Sequence, residues 1–262
     1  MKKVFIMILL SVFLTACGED NSSSDHDDYD DGTETPDEEH DSDNEDTDSD
    51  SGEDLENGET EKVTVSFQLM DPSSNSGIEN ILITHGDQEV ESSEQGSASV
   101  EIDAEKYFDI KGEKDGFQNY HFIGVSGTSD FNFFTYVSSR SITQQVLGML
   151  SQTLDSEKGF VVVGVDYKNM RPVYGAEVEV DSGHSEPFIL TSSGMPENGN
   201  KLKEGGGSFV SFPNTATGKA NVDVKAPGGV SCVPYPAGEG KEIEIDVYED
   251  SVSVIAFVCE EE

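Results

Sequence analysis

Residues 160–180 read FVVVGVDYKNMRPVYGAEVEV, and this stretch decides the class of fold. It contains the apolar run Phe160–Val165, a polar turn, and then the alternating segment Val173–Val180. Short runs rich in valine, separated by a few turn-forming residues, are typical of β-strands in sandwiches and barrels. The stretch therefore predicts two neighbouring strands of an all-β protein.

Strands of the same kind are predicted on both sides of this stretch. They cover 63–67, 81–83, 98–102 and 107–110 before it, and 208–212, 220–224, 241–247 and 252–259 after it. The order of turns and strands in residues 63–137 repeats that in residues 160–258. We therefore predict two tandem antiparallel Greek-key β-sandwiches, at residues 63–138 and 159–262.

A single helix is predicted between the two sandwiches, in residues 139–158. The segment Ser141-Ile142-Thr143-Gln144 has the form of a capping box, with Ser141 as the N-cap and Gln144 reaching back. Apolar residues at helical spacing form one face of this helix: Ile142, Val146, Met149 and Leu150. We expect this face to pack on one or both sandwiches.

The chain is strongly acidic, with 54 Asp and Glu, 15 Lys and Arg, and a formal net charge of −39. Residues 18–62 hold 22 acidic residues and one basic residue, Lys62, whereas residues 63–262 hold 32 and 12. Binding to nucleic acid or to anionic headgroups by charge needs a basic patch, so this balance argues against both partners. The segment 18–62 has very few apolar side chains, and we predict a disordered, extended tether.

The first seventeen residues indicate export. Lys2 and Lys3 precede the apolar run Val4–Leu14, which is too short to span a bilayer and is typical of a secretory signal peptide. The sequence Leu-Thr-Ala-Cys that ends at Cys17 resembles the lipobox of bacterial lipoproteins. This resemblance implies that residues 1–16 are removed and that Cys17 carries palmitate-type acyl chains, which anchor the protein to a membrane.

The alternative is a plain secretory signal in which Cys17 is incidental. Gly18 stands where an aspartate would act as a retention cue for the inner membrane. The lipobox resemblance therefore implies a protein of the cell envelope, held at the outer rather than the inner membrane. Its folded part would lie in the periplasm or at the cell surface.

Two more cysteines, Cys232 and Cys259, lie near the C-terminus. An exported chain meets an oxidising compartment, so the two cysteines that remain besides Cys17 are predicted to form a disulfide. The bond would close a loop of 28 residues. On the chain-entropy model it would contribute roughly 3 kcal/mol to stability. Two free thiols are the alternative.

The segment Arg171–Val178, with the Pro227-Gly228-Gly229 turn further on, resembles a carboxypeptidase regulatory-like domain. The pattern Pro-Val-x-Gly-Ala-x-Val is typical of these transthyretin-like (prealbumin-like) sandwiches. The resemblance covers residues 160–258 well and 63–137 weakly, where Asn80 and Ile81 replace Gly-Ala. It implies a non-catalytic module of the kind found in many exported bacterial proteins.

We find no sequence pattern that predicts a catalytic residue, a metal ion or a cofactor. Gly183-His184-Ser185-Glu186-Pro187 departs from the nucleophile elbow at Pro187, and the strand-to-helix turn that the elbow needs is not predicted. The histidines outside the tether, His85, His121 and His184, are far apart and lack zinc-ligand spacing. The chain is therefore predicted not to be an enzyme.

The most aromatic stretch is FNFFTY, residues 131–136. Four of its rings are candidates for stacking on a sugar or filling a protein hot spot: Phe131, Phe133, Phe134 and Tyr136. The alternative is a core strand with Phe131 and Phe133 on one face and the helix covering the other rings.

Together these features predict a non-catalytic, lipid-anchored envelope protein with a structural or recognition role. Its expected partners are the membrane, through Cys17, and a glycan or an envelope protein. A glycan- or protein-binding, adhesin-like surface module is the alternative, and an accessory subunit of a hydrolase is a third.

Overall fold

In the computed structural model, residues 60–262 fold into sixteen β-strands and one α-helix. The predicted signal peptide, Cys17 and nearly all of the acidic segment lie outside the described residues. The elements are β1 (Lys62–Met70), β2 (Leu82–His85), β3 (Gln88–Glu91), β4 (Ser97–Asp103), β5 (Tyr107–Glu113), β6 (Asn119–Val125), β7 (Phe131–Tyr136), α1 (Arg140–Met149), β8 (Gly159–Tyr167), β9 (Glu177–Val180), β10 (Phe188–Leu190), β11 (Pro196–Asn198), β12 (Phe209–Thr215), β13 (Gly218–Lys225), β14 (Val230–Pro234), β15 (Glu242–Val247) and β16 (Ser251–Glu261). The predicted all-β fold class is confirmed.

The two halves of the described chain have the same strand arrangement. In the first half, β1 pairs antiparallel with β4 and parallel with β7, while β2, β5 and β6 form an antiparallel sheet. In the second half, β8 pairs antiparallel with β12 and parallel with β16, while β9, β13 and β15 form an antiparallel sheet. Each half is therefore a two-sheet sandwich, in which the last strand returns beside the first and runs parallel to it.

The two sandwiches are joined edge to edge. β16 of the second sandwich pairs in parallel with β6 of the first, from Ser251 opposite Asn119 to Ile255 opposite Ile123. This seam merges one sheet of each sandwich into a ten-stranded sheet of order β11-β10-β12-β8-β16-β6-β5-β2-β3, with β14 also beside β16. The sequence predicted a helix between the two sandwiches, which the structure has, but it did not predict the shared sheet.

The central strands β8 and β16 are apolar on both faces, which suits strands covered on both sides. Successive side chains of a strand point to opposite faces. Val162 and Val254 accordingly enter a first core, and Val163 and Ile255 enter a second core on the other face. The two sandwiches therefore share a sheet but keep separate cores.

The first core lies between the shared sheet and the three-stranded sheet β4-β1-β7. Aromatic rings fill its centre. The ring centroid of Phe67 lies 5.0 Å from that of Phe122 and 5.9 Å from that of Phe133. The second core, under the three-stranded sheet β15-β13-β9, is built mainly from valine and isoleucine.

The Pro172–Val178 motif forms the turn that leads into β9. Gly175 has a φ of +89°, a region that glycine enters without steric cost, and Ala176 is fully buried. In the first sandwich, Asn80 has a φ of +57° and is followed by the buried Ile81. Asparagine tolerates this left-handed conformation, so the same turn persists without the Gly-Ala pair.

The helix α1 begins earlier than the sequence predicts. Its N-cap is Ser139 rather than Ser141, and the Ser139 hydroxyl accepts a hydrogen bond from the backbone N–H of Ile142. The buried face contains Val146 and the fully buried Leu147, whereas Met149 is 50% exposed, so its assignment to the apolar face is wrong. The helix packs on the first core.

Candidate functional site

The candidate ligand-stacking rings of β7 lie mostly inside the protein. Phe131, Phe133 and Tyr136 are buried, and Tyr136 donates a hydrogen bond from its hydroxyl to Asn75 Oδ1 at 2.7 Å. Phe134 is partly exposed and lies edge-on to Tyr136, with ring centroids 5.6 Å apart. Phe131 and Phe133 belong to the first core, so the four rings do not form one stacking surface.

The two C-terminal cysteines form a direct cross-strand pair between β14 and β16. The structure has a disulfide between Cys232 and Cys259, with Cα atoms 4.0 Å apart and both residues buried. The third predicted site residue, the lipidated Cys17, lies outside the described residues.

Two of the three histidines that are far apart in the sequence converge on one residue, Asp109. The Nδ1 atom of His121 lies 2.8 Å from Asp109 Oδ1, and the Nδ1 atom of His85 lies 3.4 Å from the Asp109 carbonyl oxygen. His184 lies elsewhere, edge-on to Phe212 at 5.0 Å. Within residues 60–262, no group of three or more acidic, histidine or cysteine side chains has the arrangement of a metal site.

Asp109 belongs to a cluster on the outer face of the first sandwich, which we name the Tyr248 site: Tyr107, Asp109, His121 and Tyr248. Tyr107 and Asp109 alternate along β5 with core residues, so they point away from the first core. His121 comes from the neighbouring strand β6 and is 8% exposed. Tyr248 follows β15 of the second sandwich, so both sandwiches contribute to the site.

Contacts between side chains hold the Tyr248 site together. The rings of His121 and Tyr248 stack with centroids 4.3 Å apart and planes 23° apart. The Tyr248 hydroxyl donates to Asp109 Oδ2 at 3.4 Å, and the Ser251 hydroxyl donates to the Tyr248 carbonyl oxygen at 2.8 Å. The outer parts of the tyrosines stay open, since Tyr107 is 46% and Tyr248 42% exposed.

The surroundings of the site are negative. Partial burial and then the charges of Asp109 and Asp246 raise the pKa of the Tyr248 phenol. Burial and the same two carboxylates raise the pKa of the Tyr107 phenol as well. Two lysines lie nearby: Lys219 is 2.8 Å from Asp246 and 3.4 Å from Glu244, and Lys111, opposite His121 in the β5–β6 ladder, is 2.8 Å from Glu113.

The His121–Asp109 pair has the form of the base and its orienting carboxylate in a catalytic triad. The nearest serine across the ladder is Ser253, which pairs with His121 between β16 and β6. Ser253 is fully buried, and its hydroxyl donates to the Asp246 carbonyl oxygen at 3.5 Å. This arrangement does not suit Ser253 as a nucleophile, because its hydroxyl is buried and directed away from solvent.

Apart from the Tyr248 site, a cleft of about 460 Å³ lies on the second sandwich beside His184. Three of the four carboxylates that line it have partners: Glu179 with Lys225, Asp181 with Asn221, and Asp223 with Lys241. Most of the negative charge in this cleft is therefore paired with a lysine or an amide.

A small apolar cavity of about 60 Å³ lies beneath α1 in the first core. Tyr136, Val146, Phe188 and Val254 are among the residues that line it. Within the described residues, no helix has both the length and the apolar character needed to cross a membrane.

No protein-family model matches the chain, and no curated protein matches it either. The lipobox and the carboxypeptidase regulatory-like resemblance thus stay predictions. The structure has distant similarity to pilins. A minor pilin of Streptococcus agalactiae is 9% identical, with a TM-score of 0.28, and the match covers 76% of this chain and 96% of the pilin.

The major pilin of Streptococcus pyogenes is 12% identical, with a TM-score of 0.26 and coverage of 76% of this chain and 98% of the pilin. A double mutant of the shaft pilin SpaA from Lactobacillus rhamnosus GG is 7% identical, with a TM-score of 0.23 and coverage of 78% and 99%. TM-scores this low do not assign the chain to a pilin family.

Proposed function

We propose that this chain is a non-catalytic, lipid-anchored protein of the cell envelope that displays a rigid two-sandwich body. In this proposal, acyl chains on Cys17 hold the protein at the outer membrane, and the acidic residues 18–62 act as a spacer. The body then serves a structural or recognition role in the periplasm or at the cell surface. The seam between β6 and β16 is the observation that supports this role.

The seam supports a rigid body because it fixes the two sandwiches through backbone hydrogen bonds. Five consecutive residue pairs join β6 to β16, so a relative rotation of the sandwiches would break a parallel ladder inside a continuous sheet. Domains connected only by a linker are expected to move relative to each other. A display or spacer function benefits from this fixed geometry, because a rigid body keeps its two ends at a constant distance and orientation.

The disulfide adds to this argument. Cys259 lies in β16, the same strand that forms the seam, and Cys232 ties β14 to its far end. A disulfide at this position holds the central strand β16 in place. Such bonds form and persist in oxidising compartments. The disulfide therefore agrees with export of the chain.

The experiment that tests the proposal is metabolic labelling with an alkyne fatty acid, followed by membrane fractionation and protease treatment of intact cells. We expect label on the protein, recovery with the outer-membrane fraction after a high-salt wash, and loss of the label in Cys17→Ser. Two or three acyl chains hold a protein on a membrane far more firmly than one chain does.

The matched control is the double variant Cys232→Ser and Cys259→Ser, which keeps Cys17 and should keep the label. Label that persists in Cys17→Ser would refute the anchor at Cys17. Protease treatment separates display at the cell surface from a periplasmic location.

A recognition function is the second candidate, and the open tyrosines of the Tyr248 site favour it. Exposed aromatic side chains next to buried, oriented polar groups are typical of binding sites. Both sandwiches contribute side chains to this site, so its geometry depends on the seam.

A further inference from the structure

The Tyr248 site has the composition of a receptor for cations. Five large apolar or aromatic side chains are exposed in the described residues, and two of them, Tyr107 and Tyr248, lie beside the same carboxylate, Asp109. The face of a tyrosine ring is electron-rich and attracts Lys and Arg side chains. The inner side of the Tyr248 ring is covered by His121, so a ligand approaches from the solvent side.

The charge around the site favours the same class of ligand. Three carboxylates, those of Asp109, Asp246 and Glu244, act on the Tyr107 phenol. The two lysines on this side already have acidic partners: Lys219 with Asp246 and Glu244, and Lys111, opposite His121, with Glu113. The excess of negative charge stabilises a bound cation and repels an anion. Residues 63–262 carry 32 acidic and 12 basic residues, so the surrounding field has the same sign.

The carboxylate of Asp109 is also held in a fixed orientation, as a counter-charge for a bound cation requires. His121 and the Tyr248 hydroxyl hold its two oxygens at 2.8 Å and 3.4 Å, so the carboxylate is oriented before a ligand arrives. A preorganised group loses less entropy on binding than a free one. A neutral sugar would gain from the rings but would not gain from this charge.

We propose that the Tyr248 site binds a lysine or arginine side chain from a basic segment of a partner protein in the envelope. The cation lies on the exposed rings of Tyr107 and Tyr248, and Asp109 supplies the opposite charge. The choice of an envelope partner rests on the proposed function, whereas the cation specificity rests on the site alone.

The test is a titration of the full chain, as isolated in detergent micelles, with the peptide acetyl-Gly-Lys-Gly-Lys-Gly-amide. Near-physiological salt screens the charge of residues 18–62. Tyrosine ring signals in the NMR spectrum report where the peptide binds, and the titration gives Kd. We expect the signals of Tyr107 and Tyr248 to shift, and Tyr248→Ala to weaken binding by about tenfold.

Two further variants serve as controls, one for a folding defect and one for the loss of a tyrosine elsewhere on the surface. Tyr248→Phe keeps the ring but lacks the hydroxyl that helps to orient Asp109, so it should recover most of the lost affinity, which separates a binding role from a folding defect. Tyr174→Ala removes a tyrosine that is 40% exposed on a different turn, and it should leave Kd unchanged.

Equal affinity in Tyr248→Ala and Tyr174→Ala would overturn the proposal, because the acidic surface would then bind the peptide diffusely. A neutral N-acetylglucosamine oligomer that shifts the Tyr248 signals, where the peptide does not, would also overturn it in favour of a glycan site. Acylation does not enter this titration. A failure of the lipid anchor and a failure of the cation site are therefore separate results.

Discussion

Asp166 is a buried carboxyl group with an unusual energetic consequence. It lies in β8, is 2% exposed, and neither of its carboxyl oxygens makes a hydrogen bond of normal geometry in the described residues. Burial raises the pKa of Asp166 from 3.8 to about 7, and the neighbouring Ser208 side chain lowers it in part. The native state therefore holds this proton more tightly than the unfolded chain does.

The pH dependence follows from this difference in pKa. The stability that Asp166 contributes is complete below the unfolded-state pKa of 3.8 and is lost as the pH rises through about 7. Such a shift corresponds to about 4 kcal/mol once both states are ionised. We expect Asp166→Asn to raise the free energy of unfolding at about pH 8, by up to that amount, and to change it little at about pH 4.

Urea unfolding of both proteins across this pH range measures the effect. Asp87→Asn is the control, because Asp87 lies exposed in the turn between β2 and β3. The same pH profile for wild type and Asp166→Asn would contradict the role of this carboxyl group.

The Tyr248 site could be predicted only in part at the residue scale. The alternation of Tyr107 and Asp109 with the core residues Phe108 and Ile110 already places the first pair on an outer face. Nothing in the sequence links this pair to Tyr248, which is 139 positions from Asp109. Contacts at that separation depend on the tertiary arrangement of the strands.

The helix α1 shows how local signals compete at the scale of one element. Both Ser139 and Ser141 stand just before the apolar face, and the capping-box pattern favours Ser141, whereas the structure uses Ser139. An isolated bridge between Ser139 and Phe117 holds the earlier residue in extended conformation. Tertiary pairing therefore decides where the helix begins.

The cap provides a test of this element. Ser139→Ala removes the acceptor for the Ile142 N–H and should lower the free energy of unfolding by about 1 kcal/mol. Ser141→Ala leaves that bond intact and should change it by less than about 0.5 kcal/mol. Chemical denaturation of both variants decides between them, and a larger loss for Ser141→Ala would support the capping box instead.

The shared sheet governs the behaviour of the whole molecule. β16 contributes Val254 to the first core and Ile255 to the second, so neither core is complete without the same strand. Loss of β16 would also open an edge on β6 and on β8. The two sandwiches should therefore unfold together.

Calorimetry tests this cooperativity. We expect one unfolding transition for the folded body, with equal calorimetric and van't Hoff enthalpies. Val254→Ala and Ile255→Ala should each lower the single Tm, although they remove contacts from different cores. Two separate transitions, each sensitive to only one of these variants, would show that the sandwiches are independent.

The sequence by itself determined the all-β class and the internal repeat, because both depend on patterns within short segments. Side-chain alternation and turn residues such as Gly175 act over a few positions and can be recognised without any partner strand. The continuous apolar runs of β8 and β16 are also typical of strands that are buried on both faces.

Only the tertiary structure decided that β16 lies beside β6, that Phe131 and Phe133 of β7 enter the first core, and that Tyr248 meets Asp109. Backbone hydrogen bonds join any two strand edges of suitable geometry, and they depend little on which side chains are present. The choice of edges therefore reflects how two complete sandwiches pack together, which no single segment of the chain encodes.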